Sequence, residues 1–307
     1  MTRPIILDLT PDAQGMAALF AAVQVPDHVR PVLVLFSGGA SRVEGAIRQA
    51  RDLLHQYGMT DVGVHAGCPG ALVPAGVPGP APQGEDGLGA QHLVQAIRAC
   101  PPDSVTICCS GPLTTLALAL IQAPDIRTHL HGVIVSGGAL LSPGDATTVA
   151  ERNMAADPEA AATVLAMGVP VTLIPLDCTA RLNADAVWME QLAPMGAMPA
   201  SVAGRVHALL AAARTGGARG SGVDISLRAS APLLALLSPG IFSGHLAHVD
   251  VECHGTFTRG MTVARHLGHA GVQPNALVLE RMSVEAGRGV LRELLLAGSD
   301  GGMGGSA

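Results

Sequence analysis

The chain has 307 residues, of which 49% are hydrophobic, 14% charged and 2% aromatic, with a formal charge of −6. That length and apolar content suit one large α/β domain with a core of Ala, Val, Leu, Ile and Met. The acidic balance, the lack of any Lys/Arg run and the scarcity of aromatic rings exclude the basic footprint and stacking platform of a polymeric nucleic-acid binder.

Short β-rich runs alternate with helical patterns from the first residues. PIILDL (4–9) predicts a strand, residues 14–25 a helix, VRPVLVLF (29–36) a strand, 42–58 an amphipathic helix and DVGVHAG (61–67) a strand. A Pro/Gly-rich stretch over 69–84 has the length of a functional loop and is a lid candidate. Beyond it come a helix over about 89–100, the strand SVTICC (104–109) and a helix from 113. The strand HGVIVSGG (131–138), a helix over 157–167 and the strand VPVTLIPLD (169–177) complete the alternation. Residues 215–223, TGGARGSGV, form a second Gly-rich break, and residues 297–307 read as a flexible tail. No repeat or composition break divides residues 1–296, so one domain is expected, built on a mostly parallel central sheet flanked by helices.

Residues 104–124 are uncharged and long enough to span a bilayer, but Gly111-Pro112 cuts them into a β-like and a helical half. The N-terminus reaches Asp8 too early for a signal peptide, so a cytoplasmic protein with no membrane partner is expected. The six cysteines form no CxxC pair and no zinc spacing, which predicts buried free thiols. Cys109 is the thiol that adjoins the predicted pocket.

In open parallel sheets, ligands bind beyond the carboxyl ends of the strands. That rule nominates residues 8–15, 37–41, 109–115, 136–153 and 177–179. Taken singly, the Asp, Ser, Thr and Gly residues there are what any strand-to-helix junction needs for turns and caps.

Taken in order, they resemble the inosine-uridine preferring nucleoside hydrolase family over essentially the whole chain to about Leu296. The family's D-x-D-P-G-x-D-D-A corresponds to Asp8-Leu9-Thr10-Pro11-Asp12-Ala13-Gln14-Gly15-Met16. Its H-G-x-D-G-L-G corresponds to the segment that begins at Gln83, and its G-P-L-T-N-L-A to residues 111–117. GGALLSPGDATTVAERNMAADPEAA (137–161), PLDCT (175–179) and VDVECHGTFTRGMTV (249–263) are similar to three further family motifs.

The resemblance implies N-glycosidic hydrolysis, through an oxocarbenium-like transition state that needs a positioned water, a base and a clamp on the sugar. In the family a calcium ion holds the ribose diol and the water. Here two of its aspartate ligands match Thr10 and Gly15, the catalytic base matches Gln14, and the L-H-D-P segment aligns with Leu227-Arg228-Ala229-Ser230. Only a backbone carbonyl ligand, at Ser110, is independent of the side chain. No calcium and no other cofactor is therefore expected.

The resemblance also assigns ribose contacts to Glu151 and Asn153, and a sugar 5′-hydroxyl contact to Asp145. Arg152 stands in place of an aromatic residue and Arg228 in place of a histidine, where its guanidinium could fill the metal position and hold an anion. Gln14, Gln83, Ser110, Asp145, Glu151, Arg152, Asn153 and Arg228 are thus the candidate ligand-binding residues. Asp8 and Asp12 are the candidate catalytic carboxylates, with Glu85, Asp86 and Asp177 as further acids near the strand ends. A purine sandwich is not supported, since residues 202–214 carry no aromatic and only His207 offers a ring.

Two functions remain in view. One is a divergent hydrolase that acts on or binds a small nucleoside-like, sugar-containing ligand, neutral or anionic, without calcium. The other is a catalytically inactive homologue, serving as a ligand sensor or as the partner subunit of an active enzyme. A homo-oligomer is expected from the resemblance.

Overall fold

The computed structural model describes residues 2–38, 42–73, 88–185, 187–188, 191, 225–266 and 272–296. The first third builds β1 (Arg3–Leu9), α1 (Ala13–Val23), β2 (Val29–Phe36), α2 (Val43–Gln56) and β3 (Gly63–Ala66). These strands pair in parallel, with β2 between β1 and β3. The chain then returns to the other side of β1. It adds β4 (Val105–Cys109), β5 (Leu130–Ser136), β6 (Val171–Ile174) and β11 (Ala276–Met282), all parallel.

Every residue of β4 is buried and β1 is exposed only at its start, as expected of strands covered by helices on both faces. The 3.6-residue pattern of α2 turns Ala46, Ala50, Leu53 and Leu54 inward, and its other face carries charge. Together with α1, α8 (Ala231–Leu237) and α9 (Val284–Leu296), it covers one side of the sheet. The other side is covered by α3 (Gly89–Arg98), α4 (Thr114–Gln122) and α6 (Pro158–Ala166).

The mostly parallel sheet matches the expectation, and it also has an antiparallel edge. β9 (Phe242–Val251) pairs antiparallel with β11, and β10 (Thr262–His266) antiparallel with β9, giving the order β10-β9-β11-β6-β5-β4-β1-β2-β3 among the described residues. A short antiparallel pair, β7 (Asn183–Ala184) with β8 (Ile225–Ser226), leads into Arg228. Four helices were not anticipated: α5 (Arg152–Ala156), directly before α6, the single turn α7 (Leu176–Thr179) after β6, and α8 and α9 beyond the last predicted strand. The lid candidate lies outside the described residues from 74 onward, as do 215–223 and the tail. No helix among the described residues is long and apolar enough to cross a membrane. The uncharged stretch that raised the question is split as expected into β4 and α4.

Because β2 and β3 lie on one side of β1 and β4, β5 and β6 on the other, strand order reverses between β1 and β4. The turns after these two strands diverge, which opens a crevice at their carboxyl ends.

One buried carboxylate joins three segments beside that crevice. Asp157 is 1% exposed. Its Oδ1 caps α6 through Ala160 N at 3.0 Å, while Oδ2 accepts from Thr114 Oγ1 at 2.6 Å and Leu72 N at 2.8 Å. Losing a cap costs about 0.5–2 kcal/mol, and each buried donor left unpaired about 1–3 kcal/mol. Asp157→Ala should therefore lower stability by roughly 2–5 kcal/mol in a urea titration; a loss under about 0.5 kcal/mol, the level of an ordinary surface change, would show that the three segments hold without it.

Candidate functional site

The crevice contains a recess lined by Thr10, Asp12, Gln14, Ser110, Ser136, Gly137, Glu151, Arg152, Asn153, Leu176, Thr179, Arg228 and Ala229. Seven of the ten sequence candidates meet there: Asp12, Gln14, Ser110, Glu151, Arg152, Asn153 and Arg228. An eighth, Asp145, reaches it through Arg228, and Gln83 lies outside the described residues, together with Glu85, Asp86 and His207. Asp8 is the correction. Strand alternation turns it with Ile6 away from the recess, and it is 1% exposed.

The floor of the recess is built from helix starts. Asp12 caps α1: its Oδ1 accepts from Gln14 N at 3.0 Å, Gly15 N at 3.1 Å and the Thr10 hydroxyl at 2.9 Å. Thr10 O in turn accepts from Asp12 N at 2.9 Å, drawing the loop tight. A Cβ on Gly15 would stand 2.1 Å from that same Thr10 oxygen, so the loop has closed over the space a side chain there would need.

Glu151 caps α5 in the same way. Its Oε2 receives Gly138 N at 3.2 Å, Asn153 N at 2.9 Å and Met154 N at 3.2 Å. Burial pushes its carboxyl above the usual carboxylate range, and these donors pull in the opposite direction. The Asn153 amide donates to Ser110 O at 3.0 Å and Ser136 O at 3.1 Å, tying the ends of β4 and β5 together.

Arg228 closes the outer side. Its Nη2 meets Asp145 Oδ2 at 2.8 Å and its Nε donates to Ser226 Oγ at 3.1 Å. The Ser136 hydroxyl donates to Arg228 O at 3.2 Å. Asp145 Oδ1 accepts from Arg152 N at 2.8 Å, and the Arg152 guanidinium lies 3.9 Å from Oδ2. Arg228 lines the recess, and its guanidinium is held by Asp145 and Ser226. Ser226 was missed from sequence, and Ser136 was nominated only as the start of a strand-end segment, because a serine at a strand end carries no signal beyond turn propensity.

Two other candidates have structural work. Asp177 accepts from the backbone of Leu140, Leu141 and Ser142 at 2.7–2.8 Å. Burial raises its carboxyl, but these three donors outweigh it and hold the group below the usual range. Cys109 is fully buried and absent from the recess lining; burial, with the nearby Asp8 charge, pushes its thiol well up, which removes it as a nucleophile.

Asp8 lies behind the recess. Its backbone carbonyl accepts from Ser110 N at 2.8 Å, yet neither carboxylate oxygen has a well-formed partner. Burial pushes the group up to about 7, and the Ser37 hydroxyl beside it, 3.2 Å from Thr115 Oγ1, offsets that only in part. A larger depression of about 1040 Å³ opens elsewhere, near the N-terminal ends of β5, β6 and β11. Two of its polar side chains are engaged, His248 with Gln273 O at 2.8 Å and Asn275 with Val249 N at 2.7 Å. The candidate site is the recess at the strand carboxyl ends, where the sequence candidates meet.

A doubly covered parallel sheet with a polar recess at its switch point defines an α/β protein of the ligand-binding type. The inosine-uridine preferring nucleoside hydrolase family model matches residues 5–288, and the chain belongs to that family. The non-specific ribonucleoside hydrolase RihC of Shigella dysenteriae is 30% identical over 97% of this chain and 100% of its own. Among solved structures, a plant nucleoside hydrolase superposes with a TM-score of 0.81 at 22% identity, covering 97% of this chain and 100% of that one. The purine-preferring ribonucleoside hydrolase from Gardnerella vaginalis gives 0.78 at 20% identity, covering 96% and 99%.

Two outcomes test this geometry. An alanine at Gly15 would gain about 1 kcal/mol of helix propensity, but overpacking costs about 1–3 kcal/mol and the obstacle is backbone. Gly15→Ala should therefore melt below wild type; an equal or higher midpoint would mean the loop is slack. For Asp8, the folded value of about 7 lies above the ordinary 3.8, so the native state binds the extra proton between them. Stability should fall as pH rises through that window and level off above it. Asp8→Asn should remove the slope and be the more stable protein at alkaline pH, whereas identical slopes in the two proteins would place the titration elsewhere.

Proposed function

We propose that this chain takes a small nucleoside-like, sugar-bearing ligand at the recess and does so without calcium. The observation that carries the reading is the closure of the loop onto Gly15, with Thr10 O where a side chain would have to start. A hard cation such as calcium needs six to eight oxygen ligands. The family's carboxylate positions offer Thr10, Gly15 and Ala229, and the Ser110 carbonyl already accepts from the Asn153 amide. Among the described residues, no three His, Cys, Asp or Glu side chains group so as to hold a metal ion. The donor set does not fit the ion.

A sugar remains a fitting ligand. Glu151 and Asn153 line the recess side by side, with backbone donors fixing the one and paired carbonyls fixing the other, so both present rigid polar edges. Preorganised groups of this kind bind hydroxyls without a further ordering cost. The RihC relative, named a ribonucleoside hydrolase, supports a nucleoside-like compound. If the protein hydrolyses its ligand, Asp12 is the carboxylate suited to accept the proton from water, through the oxygen that α1 does not use. The second reading, an inactive homologue that senses the ligand or partners an active subunit, is favoured by Gln14, whose amide cannot act as a base.

Inosine and uridine turnover should be slower than that of a RihC-type enzyme by at least about 10²–10⁴-fold, the typical worth of a general base. The rate should be the same with added calcium or with chelator. Turnover at a family rate that a chelator abolishes would overturn the metal-free reading; binding of nucleoside without turnover would favour the inactive one.

A further inference from the structure

We propose that the outer end of the recess, between Arg152 and Arg228, takes a phosphate monoester, making the ligand a phosphorylated sugar of the nucleoside 5′-monophosphate class. This rests on the reading of the recess as a sugar site and adds the group that distinguishes its ligand from a neutral nucleoside.

Two guanidinium groups converge there on one carboxylate. Arg228 and Arg152 lie 2.8 and 3.9 Å from the same Asp145 oxygen, with side chains 21% and 64% exposed. One positive charge at this end is left without a carboxylate of its own. The other acids of the recess have one oxygen each already engaged by the backbone or the loop: Asp12 Oδ1 receives three donors at the start of α1, and Glu151 Oε2 receives three at the start of α5. Among the described residues, neither the Arg152 guanidinium nor Nη1 of Arg228 makes a hydrogen bond, so the Arg152 donor fork and Nη1 of Arg228 remain for a tetrahedral oxyanion. A phosphate monoester brings a charge of about −1.5 to −2 and three acceptor oxygens. It can therefore engage the Arg152 fork and Nη1 of Arg228 first, and compete with Asp145 for the rest of the Arg228 guanidinium.

Space leads to the same group. Between the described residues the recess holds about 40 Å³, little more than one water molecule's share of ~30 Å³. Ligand sites of drug size run to about 300–1,000 Å³. Arg228 is the long side chain on its outer side, held by one ion pair and one hydroxyl contact. A dianion that draws the guanidinium off Asp145 would open the recess and fill it in one step, whereas a neutral nucleoside would have to break the ion pair with nothing to replace it.

The test is isothermal titration of the full chain with inosine 5′-monophosphate, ribose 5-phosphate, inosine and inorganic phosphate. Both sugar phosphates should bind about ten- to hundredfold more tightly than inosine, the range expected for hydrogen bonds to a charged group. That preference should shrink in Arg152→Gln and Arg228→Gln, grow in Asp145→Asn, and weaken as salt is raised. Arg152 is mostly exposed, so its variant keeps the test readable even if Arg228→Gln folds poorly. Inosine binding as tightly as its monophosphate would overturn the proposal and leave the sugar site standing. Inorganic phosphate matching the sugar phosphates would overturn it as a mere anion patch. If no sugar compound bound at all, the proposal and the reading beneath it would both fall.

Discussion

The side-chain amide of Asn153 bridges the carbonyls of Ser110 and Ser136, and the shape of the site follows from that pair of hydrogen bonds. Parallel strands end with carbonyls that have no ladder partner, and a buried carbonyl left unpaired is costly. One amide here satisfies the last carbonyl of β5 and the first beyond β4. It thereby fixes α5, on which Asn153 sits, and the capping carboxylate of Glu151 two residues earlier. The Ser136 hydroxyl then orients Arg228 through its backbone. The recess is a consequence of finishing the sheet, with its polar edges supplied by the groups that finish it.

That arrangement puts helix capping at the centre of the recess. Asp12, Glu151, Asp157 and Asp177 each accept two or more backbone donors, and three of them begin helices that point into or beside the crevice. A carboxylate fixed in this way loses little entropy when a ligand arrives, but part of its accepting capacity is already used. The hairpin of β9 and β10 adds rigidity from outside. Arg259 forms a two-toothed pair with Glu159 at 2.6 and 2.8 Å, and Met261 bridges to Ala150 at the edge of the site loop.

Much of the fold was legible in the residues. Alternating β-rich and helical runs located the parallel strands β1 to β6 to within three residues, because doubly buried strands and amphipathic helices differ in period, whereas β11 lies beyond the last strand so located. The antiparallel edge was not legible, since VDVECHGTFTRGMTV reads as a motif before it reads as a hairpin. Of the site, the strand-end rule together with ordered motifs brought Ser110, Glu151, Asn153 and Arg228 to one recess. The role of Asp8 went the other way. A carboxylate in a loop motif suggests chemistry, and only the pleat reveals that it points into the layer of α3 and α4. The tightness at Gly15 was also hidden, because it depends on a backbone oxygen five residues earlier.

The contact between that oxygen and Gly15 bears on how such a site can change over evolutionary time. A glycine that lets a loop settle onto its own backbone becomes entrenched, because any later side chain meets a main-chain atom instead of a movable neighbour. Routes to any larger residue at this position therefore run uphill through a misfit intermediate unless the turn at Thr10 is rebuilt first.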